Sequence, residues 1–179
     1  FRASSAANPS FNGGIADSVG EENAQKLSLE VSQDTNISIN LGKTDYSRFG
    51  FNKVLVEPNI KLTINSLNNA TNFLLPAAVD VDGGGTLIIA GKGFNPKGTT
   101  WNIKGGSTLE ENVDSGGFWG SDASTVQTIK FGSAASMLNV KHSRDLGSSS
   151  TGKIDLTSGS GIVNIKDGVT LDLQTAACF

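Results

Sequence analysis

The stretch Leu29-Glu30-Val31-Ser32-Gln33-Asp34-Thr35-Asn36-Ile37-Ser38-Ile39 decides the fold. It holds two short apolar alternations, Leu-x-Val and Ile-x-Ile, separated by a polar gap of turn length. Alternation with period two marks a strand that turns one face toward a core. Twenty-five positions further on, the same four places read Val54, Val56, Leu62 and Ile64, and 25 beyond those they read Val79, Val81, Leu87 and Ile89. Only 37% of the chain is hydrophobic, so twelve apolar hits in three successive blocks are not a chance arrangement.

The rhythm breaks at Asn95-Pro96-Lys97-Gly98 and resumes in a shorter block at Trp101, Ile103 and Leu109. It returns at Ile129, Phe131, Leu138 and Val140, and 25 residues later at Ile154, Leu156, Val163 and Ile165. Polar text repeats too, since Asn-Ile/Val-Lys recurs at 59–61, 102–104, 139–141 and 164–166. Helical periodicity is absent, and Ser115-Gly116-Gly117 and Gly147-Ser148-Ser149-Ser150 are turn and loop text. A repeat of two or three short strands cannot bury its own apolar face and must stack on its neighbours. The expected fold is therefore all-β: a right-handed parallel β-helix, or β-solenoid, of about six coils of roughly 25 residues. A third, less regular strand per coil is suggested by Phe49 and Phe51, Phe73 and Leu75, Phe94, and by Leu146 with Leu171 and Leu173.

Residues 1–25 have few apolar anchors and read as an N-terminal arm or cap, with Asp17 to Gln25 able to hold one short helix. Residues 26–179 read as the solenoid, with an irregular coil at 95–125. The net charge of −3 supplies no basic stripe for nucleic acid, and no apolar run approaches a membrane span, so neither nucleic acid nor membrane insertion is expected. The chain begins at Phe1 without an initiator Met, as the processed part of a larger product would. The single Cys178 excludes an internal disulfide framework and argues against a cysteine metal site; it reads as a buried or inert thiol, with an intermolecular disulfide as the alternative. No cofactor is expected: Gly83-Gly84-Gly85, with Gly91 and Gly93, is turn glycine, because no helix follows to complete a phosphate loop.

The phrase Gly161-Ile162-Val163-Asn164-Ile165-Lys166-Asp167-Gly168-Val169-Thr170-Leu171-Asp172-Leu173 resembles coil text of bacterial autotransporter passengers and of the β-helical rods of bacteriophage fibres and tailspikes. The resemblance covers roughly 27–173 and is one of architecture, so no functional residue is carried over. It implies an extracellular protein of a virion surface or bacterial cell surface. Its partners would be identical subunits, commonly in trimers, or other virion or surface proteins, and a cell-surface glycan.

Two carboxylate clusters are the candidate sites. Asp80 and Asp82 alternate with the core residues Val79 and Val81, project from one outer face, and are candidate metal ligands or the paired acids of a glycosidase. Glu110, Glu111 and Asp114 lie beside Phe118 and Trp119, and rings next to carboxylates suit a glycan or a partner surface. The bland alternatives are a solvated strand face for the first cluster and a coil-to-coil loop for the second. His142, the one histidine, has no Gly-x-Ser-x-Gly elbow to serve and reads as a solvated loop residue. No catalytic residue is assigned. The leading functional reading is a non-enzymatic structural or adhesive element of a virion appendage or bacterial surface rod. The competing one is a tailspike-like or lyase-like enzyme cleaving polysaccharide on the same scaffold, with Lys130 and Asp155 at registers near the Asp80 pair.

Overall fold

In the computed structural model of the chain, the described residues are 2–3, 10–12, 27–40, 47–48, 51–66, 73–74, 78–91, 99–113, 128–141, 144–146, 153–155, 161–165 and 171–173. Their regular structure is entirely β, and every strand pairing is parallel. The first seven-stranded sheet runs in the order β1 (Arg2–Ala3), β3 (Leu27–Val31), β6 (Phe51–Val56), β9 (Ala78–Asp82), β11 (Thr100–Ile103), β13 (Thr128–Phe131) and β16 (Lys153–Asp155). The second contains β2 (Ser10–Asn12), β4 (Thr35–Asn40), β7 (Lys61–Ser66), β10 (Thr86–Gly91), β12 (Thr108–Val113), β14 (Met137–Val140) and β17 (Ile162–Ile165). Two small sheets pair β5 (Ser47–Arg48) with β8 (Phe73–Leu74) and β15 (Arg144–Leu146) with β18 (Leu171–Leu173). Among the described residues, no helix is long and apolar enough to cross a membrane.

The strands of the two large sheets alternate along the chain, and short corners join β3 to β4, β6 to β7, β9 to β10, β11 to β12 and β13 to β14. In the corner Glu57-Pro58-Asn59-Ile60, the Ile60 N–H donates to the Glu57 carbonyl at 3.0 Å. Pro58 presets its own φ, and Asn59 adopts the left-handed φ of 66° that asparagine tolerates. One rung beyond the corner Asp82-Gly83-Gly84-Gly85 that joins β9 to β10, Lys104-Gly105-Gly106-Ser107 closes in the same way, the Ser107 N–H donating to the Lys104 carbonyl at 2.9 Å. The backbone ladder does not lapse at these corners. Thr86 donates to Ile60, Thr108 to Gly85, Met137 to Ser107 and Ile162 to Ser136, at 2.9 to 3.0 Å. At the first corner a side chain substitutes, with Asp34 Oδ1 accepting the Lys61 N–H at 2.8 Å. Buried backbone polar groups are thereby paired through the turns.

The core is a set of columns. Leu29, Val54, Val81, Ile103 and Phe131 stack in the first sheet, with Val79, Trp101 and Ile129 alongside. Leu62, Leu87, Leu109 and Leu138 stack in the second. All are shielded from solvent, and each buried aliphatic side chain contributes roughly 1.5–3 kcal/mol of transfer free energy.

The pairing departs from a uniform 25-residue spacing. Leu29 lies on Val54 as expected, but Val54 lies on Val81, 27 residues on, rather than on Val79. In the second sheet Ile37 lies on Ile64 rather than Leu62, while the next step, Leu62 on Leu87, is 25. A slip of two residues preserves which side chains face inward, because side-chain direction has period two. The apolar pattern alone is blind to such a slip.

The block at Trp101 lies only 22 residues beyond its neighbour, since Val79 pairs with Trp101 and Leu87 with Leu109. It is in register on both sides, and the extra length of the irregular coil falls at 114–127, outside the described residues. Within the stretch read as an arm or cap, Arg2 pairs with Glu30 and Ser10 with Ser38; residues 17–25 lie outside the described residues. Phe51 belongs to the buried face of β6 rather than to a third strand. Leu146 lies opposite Leu173, not Leu171.

Candidate functional site

Asp80 sits on the outer face of β9, between the inward residues Val79 and Val81. Its neighbours in register are Lys53 on β6 and Asn102 on β11. Asn102 Nδ2 donates to Asp80 Oδ1 at 2.8 Å, and Lys104 Nζ donates to Oδ2 at 2.6 Å, forming an ion pair. Partial burial pushes the Asp80 carboxyl pKa upward, but the hydrogen bonds from Lys104 and Asn102, with the charges of Lys104 and Lys53, outweigh it. The carboxyl is held below its ordinary value.

The register line continues from Asn102 to Lys130 and from Lys130 to Asp155. Asn102 thus connects two charged pairs that the sequence had left separated by the irregular coil. Asp82, on the same outer face, accepts the Gly83 N–H through Oδ1 at 2.8 Å. Among the described residues no group of three His, Cys, Asp or Glu side chains could hold a metal ion. Asp80 and Asp82 are therefore two carboxylates with protein donors already on them.

Glu110 and Glu111 are adjacent in β12 and so face opposite ways. Glu110 is on the outer face, where Asn139 Nδ2 donates to its Oε2 at 3.3 Å and Lys141 Nζ lies 3.5 Å from the same oxygen. Asn164 Nδ2 donates to Asn139 Oδ1 at 3.3 Å, extending the polar line one strand further. Glu111 is buried, and in register it occupies the inward column between Ile89 and Val140. Its Oε1 accepts the Val113 N–H at 3.2 Å. Asp114, Phe118 and Trp119, the other members of this cluster, lie outside the described residues, as do His142 and Cys178.

The partners that sequence reasoning did not assign are Lys53, Asn102 and Lys104 around Asp80, and Asn139 and Lys141 around Glu110. A signal for them existed. The repeated text Asn-Ile-Lys at 102–104 and Asn-Val-Lys at 139–141 supplies an amide and an ammonium two residues apart, hence on one strand face, and each set meets a carboxylate of the preceding strand. Chemically, Asp80 is an ionised acceptor neutralised by a lysine. A general acid needs the opposite shift, a carboxyl kept protonated near neutral pH.

No protein-family model, curated protein or solved structure matches the chain.

Proposed function

We propose that the chain is a right-handed parallel β-solenoid that works as a non-enzymatic structural or adhesive rod on a virion or bacterial cell surface. The observation that carries this reading is the all-parallel pairing of two seven-stranded sheets around a shared apolar core. Six strand-to-strand steps at about 4.8 Å extend roughly 29 Å, a short rigid spacer whose rigidity comes from the stacked backbone ladder. The outer polar lines support the same reading, because Asp80 and Glu110 are bound by lysine and asparagine of the next strand. Its partners on this reading are copies of itself or other surface proteins, with a glycan as the adhesive ligand. Density at a resolution that separates strands tests the solenoid: absence of stacked rungs near 4.8 Å would end it. Antibodies against the chain applied to intact source cells or particles test the location, and labelling only after lysis would overturn a surface role.

A polysaccharide-cleaving enzyme is the second reading. It is favoured by the line Lys53, Asp80, Asn102 and Lys130 on successive strands, where an extended acidic chain could lie. Release of reducing sugar from a glycan panel, abolished in an Asp80→Asn/Asp82→Asn double variant, would replace the structural reading with this one.

A further inference from the structure

The corner between β9 and β10 reads Asp82-Gly83-Gly84-Gly85. The Gly83 main-chain nitrogen lies 2.8 Å from Oδ1 of the preceding side chain, to which its N–H donates. Gly83 is exposed, has a φ of 98° and brings no side chain of its own to the corner. On the next rung, Gly105 leaves room for the Asp82 carboxylate, because a Cβ there would collide with Oδ1. The nitrogen that would attack is thus held 2.8 Å from an oxygen of the carboxyl group it would attack, and such proximity lowers the entropic barrier to an intramolecular reaction.

We propose that Asp82-Gly83 is a site of spontaneous backbone isomerisation, in which the folded corner promotes closure of a five-membered cyclic imide that water reopens to isoaspartate. The balance needs water alone. A bond forms between the Gly83 nitrogen and Asp82 Cγ, and one carboxyl oxygen leaves as water with the amide proton and the carboxyl proton. Water then adds to one of the two imide carbonyls. Opening at the former main-chain carbonyl leaves the chain running through Cβ and Cγ, with no net change in mass.

The product fits its surroundings badly. Downstream of the isomerised bond, the Gly84 N–H donates to Ser107 Oγ at 2.9 Å, and the Gly85 N–H donates to the Val56 carbonyl at 2.9 Å. Thr86 donates to Ile60 at 2.9 Å. An added main-chain carbon at residue 82 shifts all three donors relative to the strands that hold their acceptors. The modification therefore acts as a clock that loosens a corner in the middle of the stack.

The test is prolonged warm incubation at neutral pH, followed by proteolysis and electron-transfer fragmentation of the peptide 62–92. The folded protein, the same protein in urea, and the variants Asp82→Glu and Asp82→Asn are compared. Isoaspartate at 82 is expected to rise severalfold faster in the folded chain than in urea. It should be undetected in Asp82→Glu, whose ring would have six members, and faster in Asp82→Asn, where ammonia leaves in place of water. A folded rate equal to or below the unfolded rate overturns the proposal, as does an unchanged peptide from the Asp82→Asn variant when circular dichroism shows that variant to be folded. The comparison of folded and unfolded wild-type protein keeps the result decisive if a variant does not fold.

Discussion

Gly84 and Gly85 are neighbours that resist substitution for different reasons. Gly84 has a φ of 85°, and a Cβ built there meets nothing closer than the Gly105 carbonyl oxygen at 3.5 Å. Its alanine variant should incur only the left-handed conformational penalty, about 1–2 kcal/mol. At Gly85 the obstacle is space: a Cβ would lie 2.6 Å from Val56 Cγ1 and 2.8 Å from the Val56 oxygen. Gly85→Ala must displace backbone of the preceding rung and should cost about 2–3 kcal/mol. Urea midpoints of the two variants should rank in that order; equal midpoints would contradict the close packing of this corner. Asp80 makes a pH-dependent contribution with a definite sign. Its folded-state carboxyl is held below the ordinary value, so the stabilisation is present above the unfolded pKa of about 4 and is lost as pH falls through the folded-state value. Lys104 is 44% exposed in its side chain, which limits the contribution to about 0.5–1 kcal/mol at neutral pH. Asp80→Asn should lower stability by that much at neutral pH and flatten the acid limb of a plot of urea midpoint against pH.

The strands themselves were legible where the text alternates: Val79-Asp80-Val81 and Leu29-Glu30-Val31 reveal strand and face without any partner. Their pairing was legible only to within two residues, since Ile37 satisfies the same apolar rule on Leu62 as on Ile64. Cysteine pairs resolve the register. The outer positions Asn36 and Thr63 are paired, whereas a 25-residue step would set Asn36 beside Lys61. Asn36→Cys with Thr63→Cys should oxidise readily to a disulfide, and Asn36→Cys with Lys61→Cys should not, because two residues along a strand is about 7 Å, too far for the bond. The candidate site was half legible. Glu110 has the outward position a binding residue needs, but Glu111 takes the inward place of an apolar residue between Ile89 and Val140. Charge gave no hint of this burial; the position within the period-two pattern did. Glu111→Gln keeps the shape and an acceptor for the Val113 N–H and should change stability by less than about 1 kcal/mol. Glu111→Ala removes both and should cost about 2–4 kcal/mol, read as a lower urea midpoint with an unchanged slope.

A parallel sheet in which each strand pairs only with the strands beside it distributes stability as nearest-neighbour terms, so position in the strand order governs how far a defect spreads. Trp101 is fully buried in the first sheet between Val79 and Ile129, on the fifth of the seven strands and so away from either end. Removing its ring leaves a cavity touching the rungs on both sides, and Trp101→Ala should cost about 3–5 kcal/mol. Val163 lies in β17, the last strand of the second sheet, and pairs with Leu138 on one side. Val163→Ala should cost about 1 kcal/mol, with the loss confined to that end. Native-state hydrogen exchange separates the two outcomes, because it reads the opening free energy of each strand. Trp101→Ala should accelerate exchange in β6, β7, β9, β10, β11, β12, β13 and β14 together, since the corners tie both sheets into the same rungs through the Thr86, Thr108 and Met137 donors. Val163→Ala should accelerate β14 and β17 and leave β7 and β10 unchanged. If Trp101→Ala instead opened only β9, β11 and β13, the two sheets would be separate cooperative units and the corner ladder would not couple them.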